Sequence, residues 1–456
     1  MTSNSLRDKD LASVLHPYTH LGRHREKGPL IITRGEGVRV FDDAGNDYIE
    51  GMAGLWCTAL GFSEPRLAEA ARRQMERLPF YHMFNHKSHE TGIELASKLL
   101  ELAPVPMSKV FFANSGSEAN DTAVKLVWYV NNALGRPKKK KIIARRKGYH
   151  GVTVATASLT GLPANQRDFD LPIAGILHTE CPHHYAEALP GETERDFSAR
   201  LADALDKMIE AEGPDTVAAF FAEPVMGAGG VIVPPEGYFE MIQAVLRKHD
   251  VMFVVDEVIC GFGRTGRMFG SQTYGLAPDM ITCAKGLSSA YLPISALMVS
   301  EGIWQALVAQ SDKIGLFGHG YTYSAHPVAA AVALETLDIF AERDILGHVA
   351  QVGPRLQAGL KALESHPLVG QARGVGLIGA LELVEDKNTR AHFPPERGIG
   401  AQVVEAAQNA GVILRAMMGD SIAFSPPLII TEDEIDEMLA MTRAALDEVA
   451  GRVLAS

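Results

Sequence analysis

Apolar and polar residues along this chain fall into three regimes. Residues 34–50, RGEGVRVFDDAGNDYIE, alternate on either side of a DDAGN turn, the pattern of an antiparallel hairpin with one buried face. A loop, GMAGLWCTALGF, follows, and a helical periodicity runs from about Pro65 to Leu78. From about residue 90 to 300, short apolar runs alternate with helical stretches. KVFFAN (109–114), KIIARR (141–146), VAAFFAEP (217–224), MFVVDEV (252–258), MITCA (280–284) and ISALMVS (294–300) read as strands. Residues 117–133, 194–212, 236–249 and 326–342 read as helices. Strands that are apolar throughout need cover on both faces, and the helices between them supply it. The pattern therefore predicts an α/β fold with a mainly parallel central sheet.

Beyond about residue 330 the order changes. A helix-rich stretch leads to GVGLIGALEL, another helix, VILRAM, SIAFSPPLII and a final helix, EDEIDEMLAMTRAALDEVAGRV. This predicts a smaller α+β domain. The N-terminal hairpin has no sheet of its own and is expected to join it. The expected division is residues 1–61 and 331–456 as the two parts of the small domain and 62–330 as the large domain.

Composition narrows the class. The chain has 456 residues, 46% hydrophobic and 21% charged, an ordinary globular balance with material for a large core. A net charge of −12 argues against a nucleic-acid surface. The four cysteines, Cys57, Cys181, Cys260 and Cys283, form no CxxC pair, so the expectation is a reducing, cytoplasmic setting. The first residues hold no apolar signal core, and no run of about 18 apolar residues predicts a membrane span. The one charge run, RPKKKK (136–141), reads as a solvated loop.

Candidate chemistry gathers at the ends of the predicted strands. In FFANSGSEAND a strand ends at Asn114 and a helix begins near Ser117. Ser115 and Glu118 have capping-box spacing, and the exposed N–H groups of such a helix start suit a phosphate. Tyr149 and His150 stand between two glycines after the next strand, at the edge that faces the ligand crevice of a parallel sheet. Glu223 ends one apolar strand, and Asp256 and Glu257 end another, where an unpaired carboxylate is costly. Lys285 sits among small and apolar residues in MITCAKGLSSAY, either snorkelling to the surface or serving as a desolvated nucleophile. GFGRTG (261–266) and GVGLIG (374–379) match GxGxxG, but the first leads into a stretch without helical pattern and the second precedes a strand, so neither supports a dinucleotide site. His82, His86 and His89 have ligand-like spacing without a second cluster, and no metal is expected.

NSGSEAND, GYHG, AEPVMGAGG, DEVICGFGRTG and a lysine 29 residues after Asp256 closely resemble the class III (omega) aminotransferases over nearly the whole chain. The resemblance implies a fold type I enzyme whose large domain binds pyridoxal 5′-phosphate (PLP). It implies that Lys285 forms a Schiff base with PLP and moves the proton, and that Asp256 pairs with the pyridine nitrogen. It places Gly116 and Ser117 on the phosphate, Val258 and Tyr149 on the ring faces, His150 nearby and Glu223 towards the ring oxygen. Thr322 matches a residue that reaches the phosphate of the neighbouring subunit, so a homodimer with shared sites is implied.

For substrates the resemblance implies an apolar wall of Leu55, Trp56, Phe84, Tyr149, Val152 and Ala228, with Phe84 from the partner chain. Arg415 matches an arginine that binds a carboxylate and can swing away. No clear second arginine for 2-oxoglutarate is evident, although Arg264, Arg267 and Arg373 are candidates. The expected reaction takes an amino group from an amine or omega-amino acid to pyruvate. A 2-oxoglutarate-dependent enzyme, or an aminomutase or racemase of the same fold, is the alternative.

Overall fold

The computed structural model describes residues 5–453. In chain order its strands are β1 (Ile32–Glu36), β2 (Arg39–Asp42), β3 (Asp47–Glu50), β4 (Lys109–Ala113), β5 (Lys141–Arg145), β6 (Ile176–Thr179), β7 (Val217–Ala222), β8 (Met252–Asp256), β9 (Met280–Cys283), β10 (Ser295–Val299), β11 (Val369–Val375), β12 (Ile378–Leu383), β13 (Val412–Ile413), β14 (Arg415–Met417) and β15 (Ser421–Phe424). The central sheet has the order β4-β10-β9-β8-β7-β5-β6. Its middle strands β7 and β9 are buried along their whole length and β8 at all but its first residue, as continuous apolar runs require.

Six of these seven strands run the same way, and β10 alone is reversed, antiparallel to both β9 and β4. The reason is local. A parallel return needs a crossover of a dozen or more residues, usually helical, and the segment between β9 and β10 holds only a single 3₁₀ turn, Lys285–Ser288. That turn leaves Lys285 at the edge where the parallel strands end.

The remaining strands form two smaller sheets. The hairpin β1-β2-β3 is completed by β13, which lies parallel to β3 with Val412 opposite Ile49. Strands β11, β12, β15 and β14 form an antiparallel sheet. GVGLIG is the turn of the β11–β12 hairpin, and GFGRTG is followed by a helix of five residues, Gly270–Tyr274, where the pattern suggested none.

RPKKKK is not the solvated loop its charge suggested. Lys139 is buried and donates to the His249 carbonyl at 3.1 Å, Lys140 donates to the Trp128 carbonyl at 2.7 Å, and Lys141 pairs with Glu212 at 2.8 Å. Long side chains can cover apolar surface while their ammonium heads reach the unsatisfied carbonyls near helix ends.

Arg264 ties the sheet systems together. Its guanidinium is buried and donates to the carbonyls of Leu377 and Pro426, at 3.0 and 2.5 Å. Burial pushes its pKa down to about 10. Replacing it strands two buried acceptors, each costing roughly 1–3 kcal/mol. Arg264→Ala is therefore expected to lower the thermal midpoint by several degrees, read by calorimetry, and an unchanged midpoint would show that the tie is not stabilising.

Candidate active site

Four neighbouring strands, β9, β8, β7 and β5, deliver their chemistry to one edge of the sheet. Lys285 follows β9, Asp256 ends β8, Glu223 follows β7, and Tyr149 and His150 follow β5. The helix Gly116–Ala133 begins at the same edge after β4. Together they line a cavity of about 320 Å³. Open parallel sheets place ligands at this edge for that reason: the strand ends converge there, and the loops leave a crevice.

The two acids at the end of β8 separate. Glu257 turns away and accepts hydrogen bonds from the Gly270 and Ser271 N–H groups and the Ser271 hydroxyl, at 2.9, 2.6 and 2.6 Å. Burial pushes its pKa up to about 7, and its role is to hold the turn after β8. Asp256 faces the cavity.

Asp256 is 3% exposed, and its carboxylate is held by a network. Oδ2 accepts from Asn120 Nδ2 at 2.7 Å and lies 2.8 Å from His150 Nδ1, while Oδ1 accepts from the Val258 N–H at 3.1 Å. Asn120 is fixed in turn, with its amide also donating to the His150 carbonyl at 2.9 Å and its Oδ1 accepting from Thr282 at 2.9 Å. Asn120 and Thr282 were not singled out from sequence. Their only local signals were a polar residue inside an apolar helix and another inside an apolar strand.

Lys285 adopts φ 46°, in the left-handed region, at the start of the 3₁₀ turn. A non-glycine residue there is costly and persists only when its surroundings hold it. Ser289, also left-handed, accepts the Leu60 N–H at 2.8 Å and so locks the turn to the segment carrying Trp56. Burial holds the Lys285 amine below the ordinary lysine range. The Asp256 and Glu223 charges oppose that shift, and Arg415 adds to it.

At the helix start Ser115 caps the N–H of Glu118 at 3.2 Å. Glu118 reaches back to the N–H of Asn114 at 2.7 Å rather than to that of Ser115 as in a full capping box. The N–H groups of Gly116 and Ser117 have no intrahelical acceptor and lie at the cavity wall. A Cβ on Gly116 would fall 2.9 Å from Val258, and one on Gly151 would fall 2.5 Å from the Ser117 hydroxyl, so the walls close only around glycine.

Glu223 is buried, and burial raises its pKa. It accepts the N–H groups of Tyr149 and Gly227, each at 3.0 Å, and thereby fixes the loop carrying Ala228, which is partly buried. Trp56 is buried, with its ring 5.7 Å from Lys285 Nζ and 5.1 Å from Arg415 Cζ. Arg415 makes no ion pair among the described residues, and burial beside Tyr149 and Tyr18 sets its electrostatics. Tyr18, overlooked in the sequence, lies near Tyr149 and adds to the upward push that burial gives its phenol.

Leu55 and Val152 are exposed, and Phe84 and Thr322 do not line this chain's own cavity. The loops carrying Phe84 and Thr322 instead pack together, with the Phe84 ring against Gly320 and Phe80 edge-on to Tyr323 at 5.8 Å. Of the candidate second arginines, Arg264 is the structural tie already described. Arg373 is buried against Glu382 and the Gly230 carbonyl, and Arg267 is exposed.

Residues 21–446 match the family model for aminotransferase class-III. The chain belongs to the class-III aminotransferases. This aminotransferase is 52% identical over 441 residues to gamma aminobutyrate transaminase 1, mitochondrial, of Solanum lycopersicum, covering 96% of this chain and 85% of the relative. It is 53% identical over 442 residues to the probable gamma-aminobutyrate transaminase 2, mitochondrial, of Oryza sativa subsp. indica, covering 97% and 89%. The crystal structure of the omega transaminase from Pseudomonas jessenii in complex with PMP matches at TM-score 0.97 and 56% identity, covering 99% of each chain. The aminotransferase is a fold type I enzyme that uses PLP. The cavity fits that group: a helix start with free N–H groups and no room for extra Cβ atoms, a fixed carboxylate and a desolvated amine share it.

Asn120→Ala is expected to leave the fold intact but free Asp256 to move. PLP affinity, read by absorbance titration, should fall by about tenfold, and an unchanged affinity would show that the network does not orient the carboxylate.

Proposed function

We propose that this aminotransferase moves an amino group from an amine or omega-amino acid to pyruvate, giving L-alanine and an aldehyde or ketone in two alternating half-reactions. PLP supplies the electron sink that lets a C–H bond beside the amino group break. Lys285 would hold the cofactor and carry the proton on Nζ, and burial holds its amine below the ordinary lysine range. Asp256 would keep the ring nitrogen protonated, a task its fixed, buried carboxylate suits. Gly116 and Ser117 would hold the phosphate, Tyr149 and Val258 the two ring faces, and Glu223 the Tyr149 loop. His150 would position Asp256.

The observation that carries the substrate reading is Arg415. A partly desolvated guanidinium without an ion pair among the described residues, resting on the Trp56 ring, is set to take a carboxylate. The pyruvate carboxylate and the distal carboxylate of an omega-amino acid would use it in turn. An omega-amino acid donor is also supported by relatives named gamma-aminobutyrate transaminases. Arg264 and Arg373 are spent on structural carbonyls and Glu382, which leaves no evident second arginine for 2-oxoglutarate. Leu55, Trp56, Val152 and Ala228 would supply the apolar wall. Phe84 and Thr322, on loops that pack together at the surface, would complete the site across a homodimer.

The test supplies 4-aminobutyrate or a simple arylalkylamine with pyruvate or 2-oxoglutarate and measures alanine and glutamate. Alanine should dominate, and glutamate formed faster than alanine would overturn the acceptor assignment. Arg415→Ala should raise KM for pyruvate about 10- to 100-fold while sparing the half-reaction with an apolar amine. Lys285→Ala should abolish turnover with either acceptor.

A further inference from the structure

The N-terminal segment carries a second cluster of chemistry. Two short helices, Leu6–Ser13 and Leu21–Lys27, pair through Arg7, which donates to the Glu26 carbonyl at 3.0 Å. Neither buries a single residue. Helices of this length are unstable without tertiary support. What joins them is a knot of three side chains. His16 Nε2 lies 3.0 and 2.9 Å from the two Asp10 carboxylate oxygens, and His24 Nε2 lies 3.2 Å from Asp10 Oδ1. The two imidazoles are 4.1 Å apart, and each of the three residues offers a ligand atom within 4.8 Å of the others.

We propose that Asp10, His16 and His24 form a site for a divalent transition metal that clasps the two N-terminal helices. Two imidazole nitrogens and one carboxylate are the donor set of zinc and its first-row neighbours. Ligands about 2.0–2.1 Å from a tetrahedral ion stand about 3.3 Å from one another, so the Asp10–His24 separation already matches and His16 needs to give by a few tenths of an ångström. All three side chains keep some solvent exposure, so an ion could reach them.

The clasp has a consequence for the site. Tyr18 lies between the two histidines in sequence, in the left-handed region at φ 50°; its hydroxyl accepts from Asn165 Nδ2, and it lies close enough to Tyr149 to help raise that phenol's pKa. Lys27 pairs with Glu405 at 2.6 Å. Closing the metal loop shortens the free chain on either side of Tyr18, which neighbours Tyr149 of the cavity wall.

The test uses tag-free, PLP-loaded enzyme stripped with chelator and dialysed. Titration with Zn²⁺ by calorimetry should give one equivalent per chain, and Co²⁺ should develop visible d–d bands. His16→Ala, His24→Ala and Asp10→Asn should each weaken binding by about tenfold or more, while His86→Asn leaves it unchanged. Hydrogen exchange over residues 14–28 should slow on adding Zn²⁺. Absence of saturable binding by the wild-type chain, or binding undiminished in all three variants, overturns the site. Stoichiometric binding with unchanged exchange overturns the clasp.

Discussion

A carboxylate held in the dark end of an apolar sheet is the constraint on which this active site rests. Asp256 ends a strand buried along almost its whole length, where an isolated negative charge is strongly disfavoured. Three donors from three different segments compensate it: Asn120 from a helix, His150 from a loop and the Val258 N–H from its own turn. Meeting that demand fixes the relative positions of the helix start, the Tyr149 loop and the wall at Val258. The surfaces that would receive phosphate and ring are therefore set by the same bonds that make the charge tolerable.

The second constraint is the tight return between β9 and β10. Too short for a crossover helix, it reverses β10 and puts Lys285 into left-handed backbone. The hydrogen bond from the Leu60 N–H to the Ser289 hydroxyl ties the lysine turn to the segment carrying Trp56. The Trp56 ring then lies 5.7 Å from Lys285 Nζ and 5.1 Å from Arg415 Cζ.

Buried charges elsewhere in the chain do structural work of the same kind. Glu257, Arg264, Arg373 and Glu223 each saturate backbone groups at turns or between sheets. This explains why several residues that look catalytic or substrate-binding by type are unavailable for chemistry, and why Arg415 stands apart.

Much of the fold was legible in the sequence, because continuous apolar runs spaced by helical periods leave a parallel sheet as the natural way to bury them. The strand-end residues Lys285, Asp256, Glu223 and Tyr149 were legible for the same reason, since each follows a recognisable strand. The reversal of β10 depended on the length of one connection. The separate fates of Asp256 and Glu257 depended on which face of β8 each took. The buried lysines of RPKKKK, the Asn120–Thr282 support, the reach of Tyr18 and the convergence of Asp10, His16 and His24 had no local signature. They arise from contacts between segments distant in sequence, and a pattern of period two or 3.6 carries no information about which distant partner a polar group will meet. Composition and periodicity determined which residues must be buried; only the tertiary structure decided which buried polar groups satisfy one another, and so which are left free to act.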